Sequence, residues 1–537
     1  MNSYSLKERF LKQLQLKLEK NIKLKKAKEM FRFADNVDLL NVYNNCRNWI
    51  YNNTIETKGI RAKADLQGSC ANIAYPEVSG YYIPTLLDWG YRDLAIQYAK
   101  WLVSIQHENG AWYDWLDKDP YVFDTGQILK GLIAIYPILP DVKENIIKGC
   151  DWIISQIDED GRLQTPSLDF WKSLDIPELI HLYCLSPIID ASVMFNRPKY
   201  AEFAEKVLNY YKTNSMDKLL DFHTLSHFYA YIMEALVDLG ELDLARAGME
   251  KIGKLQKKNG HIPAYKDKKW TCSTGLFQFA LVWYKLGEKQ KADLTFDYAC
   301  TLQTKNGGWL GSYGKGCKYL EQAEISWANK YFLDALKYKI STHFAYTVDK
   351  NVVQGNGTYP LSDYISKDDG RVQFILNHIC GNTLLDVGCG LGRILKVIQK
   401  EKPEIEIYAT DVSQIILDKL PSGIKSKVGS LLSIPYEDKK FDFVMTTEAL
   451  EHAVDIENAI KELARVTAKG GTMLIIDKNI KAKGAFDMPP WEQWFDVENL
   501  KTLIKNQGFD VETFINIPHN GLDGSDGIYV AWLGKKL

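Results

Sequence analysis

A turn ending in glycine returns at intervals of about fifty residues through the first 340 positions, and this repeat constrains the fold more than any other feature. The segments WIYNNTIETKG, WLVSIQHENG, WIISQIDEDG, IGKLQKKNG and LQTKNGG end in glycine at Gly59, Gly110, Gly161, Gly260 and Gly308, at spacings of 51, 51, 99 and 48. The double-length gap has room for a diverged copy near 209–217, so the interval predicts six units. A second apolar stretch, long enough for a helix, follows each turn from near Ser79, Thr125, Pro177, Ser226, Thr274 and Ile325. Six helix pairs, each apolar on one face of both members, close into a double-walled ring or stack as an open solenoid. The count stops at six and the composition then changes, which favours closure: an all-α (α/α)6 toroid over residues 36–340.

If the ring closes, polar residues near the starts of its inner helices converge on one cavity: Glu77, Asp124, Glu178, His181, His223, His227 and Glu324. Two carboxylates so placed suit acid and base roles, although each alone is also an ordinary helix cap or satisfied buried group. Trp112, Trp115, Trp171, Trp270 and Trp309 lie in or beside the turns, where flat rings at a cavity rim stack on sugar faces. The turn pattern of Gln, polar residues, Gly and an aromatic, as in 106–112 and 303–309, resembles the (α/α)-barrel superfamily. That superfamily includes terpene cyclases, protein prenyltransferases, sugar epimerases and many carbohydrate-active enzymes. The resemblance is at the level of fold, and a fold does not fix an activity. The chain has neither DxDD nor DDxxD, which argues against cyclase chemistry, and Asp267 with Cys272 makes only an incomplete zinc set. The expected substrate residues of the toroid are Glu77, Trp112, Asp124, His223, Trp270 and Trp309.

Charge and cysteine content narrow the classes further. Lys plus Arg number 66 and Asp plus Glu 68, a net charge of -2, so no global basic field recruits nucleic acid. Nine cysteines without a CxxC pair fit reduced thiols and a cytoplasmic location. No signal peptide is legible, and the most apolar stretch, 128–139, contains Lys130 and Pro137 and is too short to span a membrane. Residues 1–35 read as a basic amphipathic helix with Leu11, Leu14, Leu18 and Ile22 on one stripe. Such a helix suits an anionic membrane surface, a self-association seam, or docking on its own domain.

Residues 341–365, with Gly355, Gly357 and Pro360 and no clear helical period, read as a linker. From 366 to 537 strands and helices alternate, which predicts an α/β domain with a mainly parallel, Rossmann-like sheet. Its most specific signal is LLDVGCGLG at 384–392, a glycine-rich turn between an apolar strand and a helix. Glycines there permit positive φ and close approach of a ligand, and the helix N-terminus offers unpaired N–H groups. Asp411 closes the next strand 21 residues after Gly390, where a carboxylate can accept from ribose hydroxyls.

The spacing is GxGxG rather than the dinucleotide GxGxxG. With Gly429, Ser430 and the run FDFVMTTEALEH at 441–452, the combination resembles class I S-adenosylmethionine-dependent methyltransferases. The resemblance implies that Asp386, Gly388, Cys389, Gly390 and Gly392 surround the methionine part of that cofactor. It places Asp411 and Val412 at the ribose, Ser430 and Leu431 at the adenine, and Glu448 in the cofactor pocket. Ser430 stands where many relatives have an acidic residue. His452 is the best base candidate because an imidazole titrates near neutrality, with Glu451 beside it as a second catalytic candidate. Two alternatives stay open: Glu451 and His452 cap a helix start, or the ExxEH group ligates a divalent cation, as in some ubiquinone-biosynthesis O-methyltransferases. No resident metal is assigned. Trp491 and Trp494 are expected to cover the acceptor or pack as ordinary core. The reading is O-methylation of a sugar or a glycan-linked acceptor that the toroid binds; the alternative is a bifunctional chain with an independently catalytic, sugar-active or prenyl-type toroid.

Overall fold

A computed structural model describes residues 39–66, 73–165, 176–354, 365–482 and 493–537, with only the backbone of 341–354. The basic segment 1–35, Trp171 and Trp491 lie outside the described residues. The chain divides into two compact units at Ile340/Ser341, each described by itself.

The first unit is mostly helical, and its helices alternate between two kinds of burial. Val122–Ile135 buries every residue except Lys130 and Ala134, so it is enclosed on all sides. Arg92–Ser104 buries only Ala95, Tyr98, Ala99 and Leu102, one stripe at helical spacing. Enclosed helices begin at Pro76, Val122, Ser226 and Ser273, and a 3-10 turn at Glu178–Cys184 runs into Leu185–Met194 in the same role. Flanking helices are Leu39–Asn53, Arg92–Ser104, Lys143–Ile154, Pro198–Asn214, Leu242–Leu255 and Lys289–Cys300. The chain then enters Ser326–Gln354, which stays helical over 341–354 of the stretch read from sequence as linker. Neither glycine nor proline interrupts it before Gly355, so nothing local stops the helix at 340.

The repeated turn has a physical explanation. Gln106 Nε2 donates to Gly110 O at 2.8 Å and to Asn145 O, at the next flanking helix, at 2.9 Å. Gln256 reaches Lys291 O at 2.7 Å in the same way. The last copy repeats this with the first helix of the chain, because Gln303 Nε2 donates to Val42 O at 2.9 Å. The glycine lets the turn press against that helix: Gly260 has φ +90, and a Cβ there would lie 1.8 Å from Leu294 O. In the last copy Gly307, not Gly308, has this conformation, with φ +93 and a Cβ position 2.1 Å from Asn45 O.

Four short strands edge the described part of this unit: β1 (Lys63–Asp65), β2 (Thr271–Cys272), β3 (Ser312–Tyr313) and β4 (Ala323–Ile325). β2 pairs with β3, and β1 pairs antiparallel with β4, joining the two ends of the unit. Tyr82 Oη donates to Ser326 O at 2.8 Å and Trp49 Nε1 to Glu324 Oε2 at 2.7 Å across the same junction.

The second unit is a seven-stranded sheet of β5 (Thr383–Val387), β6 (Glu406–Asp411), β7 (Lys425–Val428), β8 (Phe441–Thr447), β9 (Thr467–Lys478), β10 (Phe509–Phe514) and β11 (Tyr529–Lys536). The order is β10-β11-β9-β8-β5-β6-β7, with β11 antiparallel to both neighbours and the rest parallel. Leu384, Phe443, Met445, Leu474 and Ile476 fill its central strands and Ile394, Leu395 and Ile398 cover them. The chain leaves β5 toward β6 on one side and returns as β8 on the other, so a crevice opens at the carboxyl ends of β5 and β8.

Candidate functional site

The crevice of the second unit is built around the loop after β5. Gly388, Gly390 and Gly392 all have positive φ, and Gly392 starts the helix Arg393–Glu401. A Cβ on Gly388 would meet Ala449 Cβ at 2.5 Å, whereas one on Gly390 meets nothing within 4 Å. Gly390 thus faces open space with its backbone bare. Its N–H donates to Asp411 Oδ2 at 3.1 Å, and Asp411 Oδ1 accepts from Ser413 N at 3.1 Å. These bonds fix the acid at the end of β6 beside the glycine loop. Cys389 N–H donates to Thr410 O at 3.2 Å, tying loop and strand, and burial pushes its thiol up, so it is no thiolate. Asp386, 4% exposed at the end of β5, has its carboxyl raised to about 8 by burial and then by Asp411. Among the described residues no ion pair is made by either of these two buried acids, which fits a cationic ligand. Val412, Ser430 and Leu431 are half-buried past β6 and β7, where Ser430 Oγ accepts from Leu432 N at 3.2 Å.

Glu448 and Glu451, neighbours after β8, have separate tasks. Glu448, with φ +54, is bonded by Arg371 Nη1, receives Tyr529 Oη at 2.6 Å, and lies 3.4 Å from Arg393 Nη2. Arg371 is buried and is held in turn by Asp369 at 2.9 and 3.0 Å and by Asn520 Oδ1 at 3.0 Å. The Arg371 guanidinium and the Tyr529 hydroxyl oppose the effect of burial and hold the Glu448 carboxyl below its usual range. Sequence reasoning missed this group, which gathers residues from 369 to 529 with no local motif.

Glu451 is a correction to the catalytic expectation. Its carboxylate takes Lys478 Nζ at 2.6 Å and its N–H donates to Asp477 Oδ2 at 3.2 Å, so it serves an internal ion pair rather than a proton transfer. A cation on the ExxEH group would have to displace both Lys478 and Arg371, and the donor set does not suit one. His452 Nε2 lies 3.5 Å from Glu451 Oε1 on the turn Leu450–His452, with its side chain partly exposed. Trp494 is buried.

In the helical unit the expectations for Trp112, Trp270 and Trp309 are overturned. Trp112 and Trp309 are fully buried and donate Nε1 to Leu102 O at 2.7 Å and Ala299 O at 2.8 Å, carbonyls in the last turns of the preceding flanking helices. Trp270 packs with Leu225, Ala264 and Cys272. An indole at this repeat position closes a helix end, which removes it from any rim. Trp115 is 45% exposed and lines a cavity of about 610 Å³ with Trp101, His107, Tyr113 and Asp114. His223 Nδ1 bonds to Asp221 O at 2.8 Å. Glu178 is held by Arg162 at 2.6 Å and Tyr211 at 3.0 Å, and Glu324 by Trp49 and Thr304, so these are structural. Burial pushes the Cys272 thiol up to about 11, and Asp267 pairs with Lys268 at 2.8 Å, which removes the zinc pair. Glu77 and Asp124 stand in the first turns of adjacent enclosed helices.

A glycine cradle beside a strand-end acid, at the switch point of such a sheet, defines a nucleoside-binding transferase domain. Residues 385–475 match the family model described as a methyltransferase domain. Ajmaline N-methyltransferase of Rauvolfia serpentina is 32% identical over 131 residues, which cover 23% of this chain and 43% of that protein. Tocopherol O-methyltransferase of Arabidopsis thaliana is 29% identical over 147 residues, covering 25% and 41%. A solved S-adenosylmethionine-dependent methyltransferase of Thermotoga maritima is 17% identical with a TM-score of 0.30, covering 35% of this chain and 98% of that one. The chain spans less than half the length of these two curated relatives. The C-terminal unit carries a methyltransferase domain, and S-adenosylmethionine is its cofactor.

Proposed function

We propose that the whole chain is an S-adenosylmethionine-dependent methyltransferase that methylates a hydroxyl of a sugar or glycan-linked acceptor. The observation carrying the transfer class is the bare, positive-φ Gly390 whose N–H holds Asp411 at 3.1 Å. When bound, the cofactor supplies an electrophilic methyl on a sulfonium. Asp411, fixed by Gly390 and Ser413, accepts from the ribose hydroxyls, and Asp386 faces the cationic amino-acid part. Arg371 and Tyr529 hold Glu448 at the loop edge. His452 Nε2 takes the acceptor proton as the new bond forms, with Glu451 beside it kept ionic by Lys478.

The helical unit is read as a closed ring of six hairpins that presents the acceptor. Support comes from the β1–β4 pairing and from Gln303, which bonds the last turn to the first helix as Gln106 bonds one turn to the next. Calorimetry with S-adenosylmethionine and S-adenosylhomocysteine tests the transfer class, and failure of folded protein to bind either refutes it. Labelled-methyl transfer to sugar nucleotides and lipid-linked glycans tests the acceptor. Methylation of only amines or carbon acceptors refutes that part.

A further inference from the structure

The loop that follows the second repeated turn, residues 113–120, holds two adjacent large apolar side chains in water. Trp115 is 45% and Leu116 47% exposed, whereas the repeated tryptophans Trp112 and Trp309 are fully buried. The backbone of the loop is fixed by its own bonds. Asp114 N–H donates to Asp119 O at 2.9 Å and Asp117 N–H to Asp114 O at 2.9 Å, while Asp114 Oδ1 accepts from Leu116 N at 3.0 Å and Lys118 N at 2.9 Å. Asp117 takes φ +58, in the left-handed region. The indole of Trp115 is thus presented at the mouth of a cavity rather than folded into the unit.

That cavity, of about 610 Å³, has the size of a small-molecule site. Trp101, Tyr113 and Trp115 give it three aromatic side chains, and two of them are held in place. Tyr113 stacks on His107 with centroids 3.7 Å apart, and its hydroxyl accepts from Asn109 Nδ2 at 3.2 Å. Trp101 lies against the first repeated turn, where a Cβ on Gly59 would come 2.7 Å from its ring. The charged lining is unbalanced. Glu108, Asp114 and Asp117 stand against Lys58 and His107, so the cavity keeps a net negative charge even with the imidazole protonated. His107 Nε2 bonds Asp117 Oδ1 at 2.7 Å. The amide bonds to Asp114 do not cancel its charge, which adds to burial in raising the Asp124 carboxyl to about 8. Among the described residues no three carboxylate, imidazole or thiol groups converge to hold a metal ion. A primary ammonium carries three donors and needs convergent acceptors; a fully methylated one carries none. Spread carboxylates beside two indoles and a phenol suit the second kind, held by ring quadrupoles and a negative field rather than by short bonds.

We propose that this cavity is a binding site for a methylated ammonium group on a small molecule, with the cation against Trp101, Tyr113 and Trp115 and its charge matched by Glu108, Asp114 and Asp117. The site lies within residues 58–117 and depends neither on closure of the helical ring nor on methyl transfer.

Choline and its neutral carbon counterpart, 3,3-dimethylbutan-1-ol, share a shape and differ in charge, so comparing them separates a cation site from an apolar pocket. The full chain is titrated calorimetrically with both, with tetramethylammonium and with methyl α-D-glucoside. Choline and tetramethylammonium are expected to bind, choline about tenfold or more tighter than the alcohol, and both more weakly as salt is raised. Trp115→Ala should weaken choline binding about tenfold or more, and Asp117→Asn about threefold or more, with S-adenosylmethionine binding unchanged in each. Asparagine adopts positive φ readily and still accepts from His107, so Asp117→Asn should keep the wild-type thermal midpoint and serves alone if the tryptophan variant does not fold. Four results overturn the site: no cation binds at about 10 mM, the alcohol binds as tightly as choline, methyl α-D-glucoside binds and the cations do not, or choline binding survives the substitutions undiminished.

Discussion

Asp386 makes cofactor affinity a function of pH, and its size follows from the structure. Burial and the neighbouring Asp411 raise its carboxyl to about 8, so it is neutral in the free protein at lower pH. A cationic amino-acid part binds the ionised form and must expel the proton below that value. Affinity therefore falls as pH drops below 8, about tenfold for each further unit, and it also falls on the alkaline side, where the ligand's own α-ammonium loses its proton at about pH 8. From pH 7 to pH 6 the loss is about tenfold, or ~1.4 kcal/mol. At pH 7 binding should release about 0.9 proton, which isothermal calorimetry reads by comparing phosphate with Tris. Asp386→Asn should bind weakly and show no slope on the acid side, because the group that titrates is gone. A flat profile in the wild-type chain, with heats independent of buffer, would refute the reasoning.

Arg371→Met leaves Asp369 and Glu448 facing a buried gap, and urea denaturation should show a loss of about 3–5 kcal/mol in the second unit, with Arg371→Lys milder. His452→Ala should lower kcat about 10²- to 10⁴-fold while calorimetric cofactor affinity stays unchanged; retained turnover removes it as the base. Gln303→Ala removes the bond from the last turn to Val42 O, and the helical unit should lose about 1 kcal/mol by thermal denaturation, much as Gln106→Ala does at an internal turn. An unchanged midpoint for Gln303→Ala beside a lowered one for Gln106→Ala would argue against the two turns being equivalent.

The glycine loop and Asp411 were legible because their chemistry lies in consecutive residues: a strand, a turn that needs positive φ, and an acid one strand later. The starts of the enclosed helices were legible for the same reason, since period and turn are local properties. Trp112 and Trp309 were misread from equally regular spacing. A tryptophan after a turn suits a sugar platform or a donor to the previous helix end, and only the direction of its ring separates the two. Glu451 looked catalytic until Lys478, 27 residues on, took its carboxylate. The helix across 341–354 shows the converse error, in which weak periodicity was taken for the absence of structure.

The chain alone determined that there are two kinds of fold, roughly where they divide, and where a glycine loop meets a strand-end acid, because backbone conformation and amphipathic period are written in neighbouring residues. Tertiary structure decided which charges are paired, and with what. Glu178, Glu324 and Glu451 each found a donor in another segment of the chain. The physical reason is that pairing and desolvation depend on which segments meet in space, and an acid held in an internal ion pair looks, in sequence, like any other acid.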